Sequence, residues 1–391
     1  MASSLTATPQ RYTLTWAKNA TSTYIRSIPE TTVDVGRASL DKGFPSETFL
    51  PLTGGGIACD GRDFNGINNS ITANLQWIQG GMKPVYNTDF STAIGGYPAG
   101  AILHNAPDVI KGCRIYYNKL DGNTDNPEVS LTNYHVISPR IKLQADLTLY
   151  VSTTGVNTGV TGTDPLHPLD SIALAREIML QNYDINGYKV IVQLADGTYM
   201  SDFNCYGTPV GYQGLDYFTV RGNISNPANV KIITTEKTAI RNYSHLKLEH
   251  LELGTIISGS CVLTNSNGIT IIGDGVIFGA CAESHIICNI GGKVYSQGSY
   301  TISGNALYHY YCPSTGGTID HSSAMVTLTG TPVFTAFAKA ENSTILFRAA
   351  NFTGSATGKR YEATLMSLIF TSGGTLPGST GGTVDASSLY T

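Results

Sequence analysis

The sequence has little charge: 13% of its 391 residues are charged, about half the fraction usual in globular proteins. It has 24 basic and 28 acidic residues, a net charge of -4, and no run of lysine or arginine. A nucleic-acid-binding protein needs a basic patch to neutralise phosphates, so we exclude that class. Intrinsic disorder is excluded too, because it requires low hydrophobicity, whereas 41% of the residues here are apolar.

Long apolar runs and cysteine motifs are also missing. No stretch approaches the roughly 18 uninterrupted apolar residues of a membrane-spanning helix, so we expect no membrane insertion. Residues 1–10 lack the charged start and apolar segment of a secretory signal. The seven cysteines include no CxxC pair. We interpret them as small, buried apolar residues of a protein assembled in a reducing compartment.

Two segments have the periodicity of an amphipathic helix. In residues 63–79, apolar side chains recur at spacings of three and four, which predicts a helix whose apolar stripe is buried in a small domain. Gly80 and Gly81 predict its end. The second segment is Leu169 to Tyr183, which Asp170 or Ser171 is placed to cap.

After the second helix the sequence predicts a series of short strands separated by Gly, Asn, Asp or Ser. Two all-β architectures fit this pattern. A sandwich or jelly roll would use hairpins, for which Asn267-Gly268 and Asp274-Gly275 are suitable turns. A parallel β-helix better explains the irregular loops, and it gives the helix at residues 169–183 a role as the cap of an open solenoid end.

Several strings in the first quarter of the chain are shared with one group of proteins. These strings are Gly61 to Gly66 (GRDFNG), Trp77 to Gly81 (WIQGG) and Ile94 to Leu103 (IGGYPAGAIL). They resemble the N-terminal virion-attachment domain of tail fibres and tailspikes from tailed bacteriophages. The second half is similar to the pectate-lyase-like β-helix of the same proteins, beginning with Leu149 to Ser152 and continuing through Val190 to Tyr199.

The resemblance implies a mostly β protein in which a right-handed parallel β-helix follows a small α+β domain that anchors it to the virion. We expect a tail or baseplate attachment domain at residues 1–105, a β-rich connector at 106–145 and the β-helix at 146–391. The anchor's core is expected to contain apolar residues of the first helix: Phe64, Ile67, Ile71, Leu75 and Trp77.

The same resemblance implies a homotrimer in the phage tail that attaches to a bacterial surface polysaccharide. Two alternatives stay open: a depolymerase that hydrolyses capsule or O-antigen, and a structural adaptor that carries other fibres. Depolymerising tailspikes usually have a longer β-helix and often a separate C-terminal domain, whereas this sequence ends at Thr391. That difference puts the depolymerase in doubt.

Candidate site residues fall into two groups. Glycoside hydrolysis needs two carboxylates close together, and the weak candidates are Asp274 and Glu283, if they stack on adjacent turns. Tyrosines offer flat amphipathic rings suited to sugars or to subunit contacts. The candidates are Tyr295, Tyr300, Tyr308, Tyr310 and Tyr311. The histidines show no metal-ligand spacing, so we expect no metal and no cofactor.

Overall fold

The structure, a computed structural model, describes residues 11–106, 112–158, 160–313, 316–321, 324–349 and 351–391. The prediction that residues 1–10 lack a secretory signal falls on residues outside the described part. The chain divides into two compact units: Met1–His104 with Tyr117–Tyr134, and Asn105–Tyr116 with His135–Thr391. The residues predicted as a connector are therefore shared between the two units.

Three α-helices and three short 3-10 helices are described. The first and third α-helices lie where periodicity predicted helices, and the second was not predicted. The α-helices are α1 (Gly61–Gln79), α2 (Thr88–Ala93) and α3 (Ile172–Asn182). The 3-10 helices are Ser46–Phe49, Leu52–Gly54 and Pro227–Asn229.

The second unit is a parallel β-helix of about eight turns, which confirms the predicted fold class. Each complete turn adds one strand to each of three parallel sheets, which contain ten, seven and eight described strands. Sheet 1 contains β5 (Leu147–Val156), β7 (Val190–Leu194), β10 (Phe218–Arg221), β13 (His245–Glu249), β16 (Ile269–Ile272), β19 (Lys293–Ser296), β22 (Thr318–His321), β25 (Thr344–Leu346), β28 (Leu368–Phe370) and β30 (Leu389–Tyr390).

The other two sheets follow the same order. Sheet 2 contains β8 (Gly197–Tyr199), β11 (Val230–Thr234), β14 (Glu252–Thr255), β17 (Ile277–Phe278), β20 (Tyr300–Ile302), β23 (Met325–Leu328) and β26 (Asn351–Thr353). Sheet 3 contains β9 (Phe203–Cys205), β12 (Ile240–Asn242), β15 (Val262–Thr264), β18 (Ser284–Cys288), β21 (Tyr308–Pro313), β24 (Val333–Glu341), β27 (Thr357–Thr364) and β29 (Thr383–Val384). We number the turns from β7–β9 as turn 1.

The remaining strands are short. They are β1 (Ile102–His104), β2 (Ile115–Asn118), β3 (Tyr134–Ile137), β4 (Ile141–Lys142) and β6 (Tyr183–Asp184). β4 and β6 pair in parallel beside the start of the solenoid.

In-register stacking of inward side chains builds the core of the solenoid. One column of sheet 1 is mostly aliphatic: Val190, Phe218, Leu246, Thr270, Val294, Ile319, Ile345 and Ile369. The column beside it changes character. It runs Val192, Val220, Leu248, Ile272, and then Ser296 and His321. This second column of sheet 1 is therefore apolar in turns 1 to 4 and polar in turns 5 and 6.

Helix α3 caps the N-terminal end of the solenoid, as predicted. The Ser171 hydroxyl accepts a hydrogen bond from Leu174 N, so Ser171 is the N-cap residue. The helix buries Ile172, Ala175, Ile178 and Met179 in the solenoid core. Five of the seven cysteines are buried as predicted, whereas Cys59 and Cys113 are exposed.

Helix α1 does not bury the predicted stripe, so that prediction is wrong for the single chain. Phe64 is 47% exposed and Ile71 is 51% exposed. Leu75 and Trp77 are exposed as well, and Ile67 is half-buried. The reason is that the facing segment, residues 15–38, meets the polar side of α1 through hydrogen bonds.

The buried side of α1 consists of Asp63, Gly66 and Thr72. Asp63 accepts hydrogen bonds from the Arg26 guanidinium at 2.5 and 2.7 Å and from Ala38 N at 3.0 Å. The hydrogen bond from Arg26 lowers the pKa of Asp63. At Gly66 a Cβ atom would lie 2.0 Å from the Arg26 carbonyl oxygen, so only glycine permits this close approach.

Candidate functional site

The outer face of sheet 3 carries a cluster of aromatic and charged side chains in turns 5 to 7. Its strands β21, β24 and β27 are 6, 9 and 8 residues long, the longest of sheet 3. Register places Tyr311, Lys339 and Glu362 side by side on successive turns. We call the following set the sheet 3 cluster: Tyr308, Tyr311, Lys339, Glu341, Lys359 and Glu362.

Lys339 is at the centre of the sheet 3 cluster. Its Nζ atom lies 3.0 Å from Glu341 Oε1 and 4.0 Å from Glu362 Oε2. The same ammonium lies 5.2 Å from the ring centroid of Tyr308 and 5.4 Å from that of Tyr311. These are cation–π distances, and such contacts strengthen when the groups are partly withdrawn from water. The Lys339 ammonium thus contacts side chains of three neighbouring strands, β21, β24 and β27.

Further hydrogen bonds fix the rim of the cluster. The Tyr311 hydroxyl donates to Glu341 Oε2 at 3.0 Å, and Lys359 Nζ donates to Glu362 Oε1 at 2.6 Å. The Tyr308 and Tyr311 rings lie 4.9 Å apart between centroids. Each side chain is therefore held in place by a neighbour, which reduces the entropy lost when a ligand binds.

Burial and charge shift the pKa values of two cluster residues. Burial, with the hydrogen bond to Glu341, raises the pKa of Tyr311 to about 12. Partial burial lowers the pKa of Lys339, but the hydrogen bond to Glu341 and the neighbouring tyrosines outweigh it, so the pKa is raised overall. At neutral pH the cluster therefore presents a protonated phenol and an ammonium.

The predicted tyrosines fall into two sets. Tyr308 and Tyr311 are half-exposed members of the sheet 3 cluster, and Tyr295 is half-exposed on the outer face of sheet 1. Tyr300 and Tyr310 are 3% and 0% exposed. Their prediction as glycan or subunit contacts is wrong, because both point into the solenoid core. Strict alternation fails in β21, where the consecutive His309 and Tyr310 both face inward.

Asp274 and Glu283, the weak catalytic candidates, are not brought into a pair by stacking. Both belong to turn 4: Asp274 lies in the corner between β16 and β17, and Glu283 lies in the next corner, directly before β18. Asp274 accepts a hydrogen bond from Ser299 N at 2.9 Å, and Glu283 accepts one from the Ser260 hydroxyl at 3.3 Å. Each carboxylate therefore stabilises a different corner of the solenoid.

Sequence reasoning identified the tyrosines of the sheet 3 cluster but not its charged residues. Lys339, Lys359 and Glu362 are ordinary polar residues of strands in the sequence. They become neighbours only through the register of three successive turns. No local pattern encodes that register.

A small cavity lies at the N-terminal end of the solenoid, beside the first turn of α3. Its volume is about 280 Å³, and its lining includes Thr153, Asp170, Tyr199 and Asp202. The Asp202 carboxylate already contacts Lys237 Nζ at 3.2 Å and Arg241 at 3.5 Å. Since this carboxylate is engaged by two cations, the cavity is a weaker candidate than the sheet 3 cluster.

The part of the chain that the structure describes contains neither a metal-binding cluster nor a membrane-spanning helix. There, no group of three or more His, Cys, Asp or Glu side chains could hold a metal ion. Within the same residues, no helix combines the length and the apolar character needed to cross a membrane.

The three parallel sheets define the class of protein: a parallel β-helix. No family model, no curated protein and no solved structure matches the chain. β-Helices are typical of tailspikes and of proteins that bind polysaccharides.

Proposed function

We propose that this chain is a tail fibre or tailspike protein of a tailed bacteriophage, and that as a homotrimer it attaches to a bacterial surface polysaccharide. The sheet 3 cluster is the contact that we assign to the glycan. Residues 1–105 would dock to the tail or baseplate, as the resemblance of their glycine-containing strings implies. The parallel β-helix is consistent with this role.

The observation that carries the proposal is the chemistry of the sheet 3 cluster. Sugars present apolar ring faces and a rim of hydroxyl groups. Tyr308 and Tyr311 offer aromatic surface for the ring faces. Lys339 and the carboxylates of Glu341 and Glu362 offer charged donors and acceptors for the hydroxyls. The three components lie on one outer face of turns 5 to 7.

The cluster favours binding over cleavage. Glycoside hydrolysis requires one carboxylic acid that keeps its proton while a second carboxylate acts as base or nucleophile. In the cluster, Lys339 Nζ faces both Glu341 and Glu362, and Lys359 also contacts Glu362. With cationic partners on both carboxylates, neither is arranged as the proton donor. We therefore place attachment ahead of depolymerisation.

The test is a binding measurement with the full-length protein and with capsular polysaccharide and lipopolysaccharide purified from the host strain. Tyr311→Ala removes an aromatic ring of the cluster and should weaken binding about tenfold, the effect of losing about 1.4 kcal/mol. Tyr295→Ala is the matched control, because Tyr295 is also half-exposed but lies on sheet 1. It should leave the affinity unchanged.

The outcomes separate the alternatives. Equal losses of affinity in Tyr311→Ala and Tyr295→Ala would refute the assignment of the sheet 3 cluster as the glycan contact. Shortened polymer with new reducing ends would establish the depolymerase instead. No binding and no cleavage would leave the adaptor role.

Mass measurement by light scattering should give three copies of the 41.6 kDa chain, and a monomer would contradict the trimer.

A further inference from the structure

The interior of turns 4 to 6 contains five polar aromatic side chains that form a continuous series of hydrogen bonds. Each of them is at most 3% exposed. They come from four strands: β18, β20, β21, which contributes two residues, and β22. We call the following set the His–Tyr chain: His285, His309, Tyr300, Tyr310 and His321.

The series runs from one side chain to the next without a break. His285 Nδ1 lies 2.9 Å from His309 Nδ1, and His309 Nε2 lies 2.7 Å from the Tyr300 hydroxyl. The Tyr300 and Tyr310 hydroxyls are in contact, and Tyr310 lies 2.9 Å from His321 Nδ1. All five side chains thus share one hydrogen-bonded path.

Both ends of the path are backbone carbonyl oxygens. His285 Nε2 lies 2.9 Å from the Gly279 oxygen, and His321 Nε2 lies 3.1 Å from the Ala324 oxygen. A carbonyl oxygen only accepts hydrogen bonds. Each terminal histidine must therefore carry hydrogen on Nε2, which leaves the Nδ1 atoms of neutral His285 and His321 as acceptors.

The path has fewer hydrogens than hydrogen-bond contacts. The path has six contacts: two to the carbonyls and four between side chains. Three neutral histidines and two tyrosines supply five hydrogens along it. With the ends fixed, His309 donates to His285, Tyr300 donates to His309, and Tyr310 donates to His321. The contact between the two tyrosine oxygens is left without a hydrogen.

We propose that the His–Tyr chain is a proton-binding site, in which one proton from solvent completes the sixth hydrogen bond of the path. With that proton, every contact has one donor and one acceptor. The added charge is shared along the path, because each hydrogen can shift toward its neighbour. The site takes one proton, since a second would find no contact lacking a hydrogen.

The surroundings set the pH at which the proton enters. Burial, partly offset by the hydrogen bonds to the Gly279 and Ala324 carbonyls, lowers the pKa of His285 and of His321 to about 4, and burial lowers the pKa of His309 well below its usual range. Asp320, beside His321, acts in the opposite direction. Among the residues that the structure describes, the phenylalanine rings in contact with the path and the neighbouring Ser296 are uncharged: Phe278, Phe334, Phe337, Phe347, Phe352 and Ser296.

Ser296 does not remove the deficit. Its buried hydroxyl makes no hydrogen bond to either phenol in the structure. Donation from Ser296 would satisfy one tyrosine oxygen, but the contact between the two oxygens would still contain no hydrogen. We therefore expect the first proton to enter at a higher pH than burial alone would allow.

Tyr310→Phe provides the test, because it removes two contacts and one hydrogen. The remaining four contacts then match the four hydrogens of three neutral histidines and Tyr300. Tyr300→Phe has the same count and serves as a second variant if the first fails to fold. Phe337→Leu is the matched control. Phe337 is buried and stacks on His309 at 5.2 Å, but it makes no hydrogen bond of the path.

The experiment is a pH titration of the full-length protein with ¹⁵N-labelled histidine, followed by nuclear magnetic resonance while circular dichroism verifies the fold. The wild-type chain should form its first imidazolium at least about one pH unit above Tyr310→Phe. Phe337→Leu should titrate like the wild type. The proposal is overturned if wild type and Tyr310→Phe charge at the same pH, or if the wild-type histidines charge only on unfolding.

Discussion

Helices α1 and α3 have similar apolar periodicity in the sequence, yet they use it in opposite ways. Helix α3 buries its apolar side in the solenoid. Helix α1 exposes Phe64, Ile71 and Leu75 and buries Asp63 and Thr72. Periodicity therefore predicts that a segment is helical, but the partner decides which face is buried. In the first unit a buried ion pair joins α1 to the facing segment, whereas in the second unit α3 packs through apolar contacts.

We expect acid to produce the largest difference in stability between the two units. Free histidine has a pKa of 6.5, and His285 and His321 have values of about 4 in the fold. Their neutral forms stabilise the solenoid fully above pH 6.5, and this stability is lost as the pH falls toward 4. The loss amounts to roughly 3 kcal/mol for a histidine that charges near pH 4, and to less for the one proton that the His–Tyr chain accepts at a higher pH. The pKa of Asp63 is lowered from 3.8, so the ion pair of the first unit weakens only below that pH.

Tryptophan fluorescence and circular dichroism can follow the two units separately. Both tryptophans, Trp16 and Trp77, belong to the first unit, whereas most strands belong to the solenoid. Between pH 6.5 and 4 the free energy of unfolding monitored by the β-sheet signal should fall, while the fluorescence transition stays constant. A fluorescence transition that weakens first would contradict the comparison.

The next largest difference in stability is expected when a carboxylate is introduced into each helix. Ala175→Asp introduces a carboxylate at a fully buried position of α3 and should destabilise the solenoid by more than about 4 kcal/mol. Ile71→Asp alters the exposed face of α1 and should change the stability of the single chain by less than about 0.5 kcal/mol. Chemical denaturation at low protein concentration measures both. Equal destabilisation would mean that the stripe of α1 is buried after all.

Removing the carboxylate at position 63 should affect only the first unit. Asp63→Ala leaves Arg26, whose side chain is 24% exposed, without its main partner, and should cost about 3–5 kcal/mol. The loss should appear in the tryptophan transition. Asp34→Ala is the control, because its ion pair with Arg37 is exposed and should contribute little. Should Asp63→Ala leave the fluorescence transition unchanged, the buried pair is not what stabilises this unit.

The sequence predicts the solenoid well because its information is local. Short strands bounded by turn residues, with the helix at residues 169–183 before them, specify a capped β-helix without any knowledge of register. Whether a strand's side chain faces the interior of the solenoid or its outer surface is less predictable. His309 and Tyr310 follow each other in β21 and both face inward, which a strict period of two cannot encode. The sheet 3 cluster and the His–Tyr chain both depend on contacts between different turns.

The in-register pairing of successive turns has a consequence for length. Phe218 lies opposite Val190 and Ile269 lies opposite His245, and turns 1 to 7 each repeat the same three-strand unit. Neighbouring strands are spaced by about 4.8 Å. Gaining or losing one whole turn would lengthen or shorten the solenoid by that step and leave the other turns intact. The number of turns thus determines, in equal steps, how far a site lies from the N-terminal end of the solenoid.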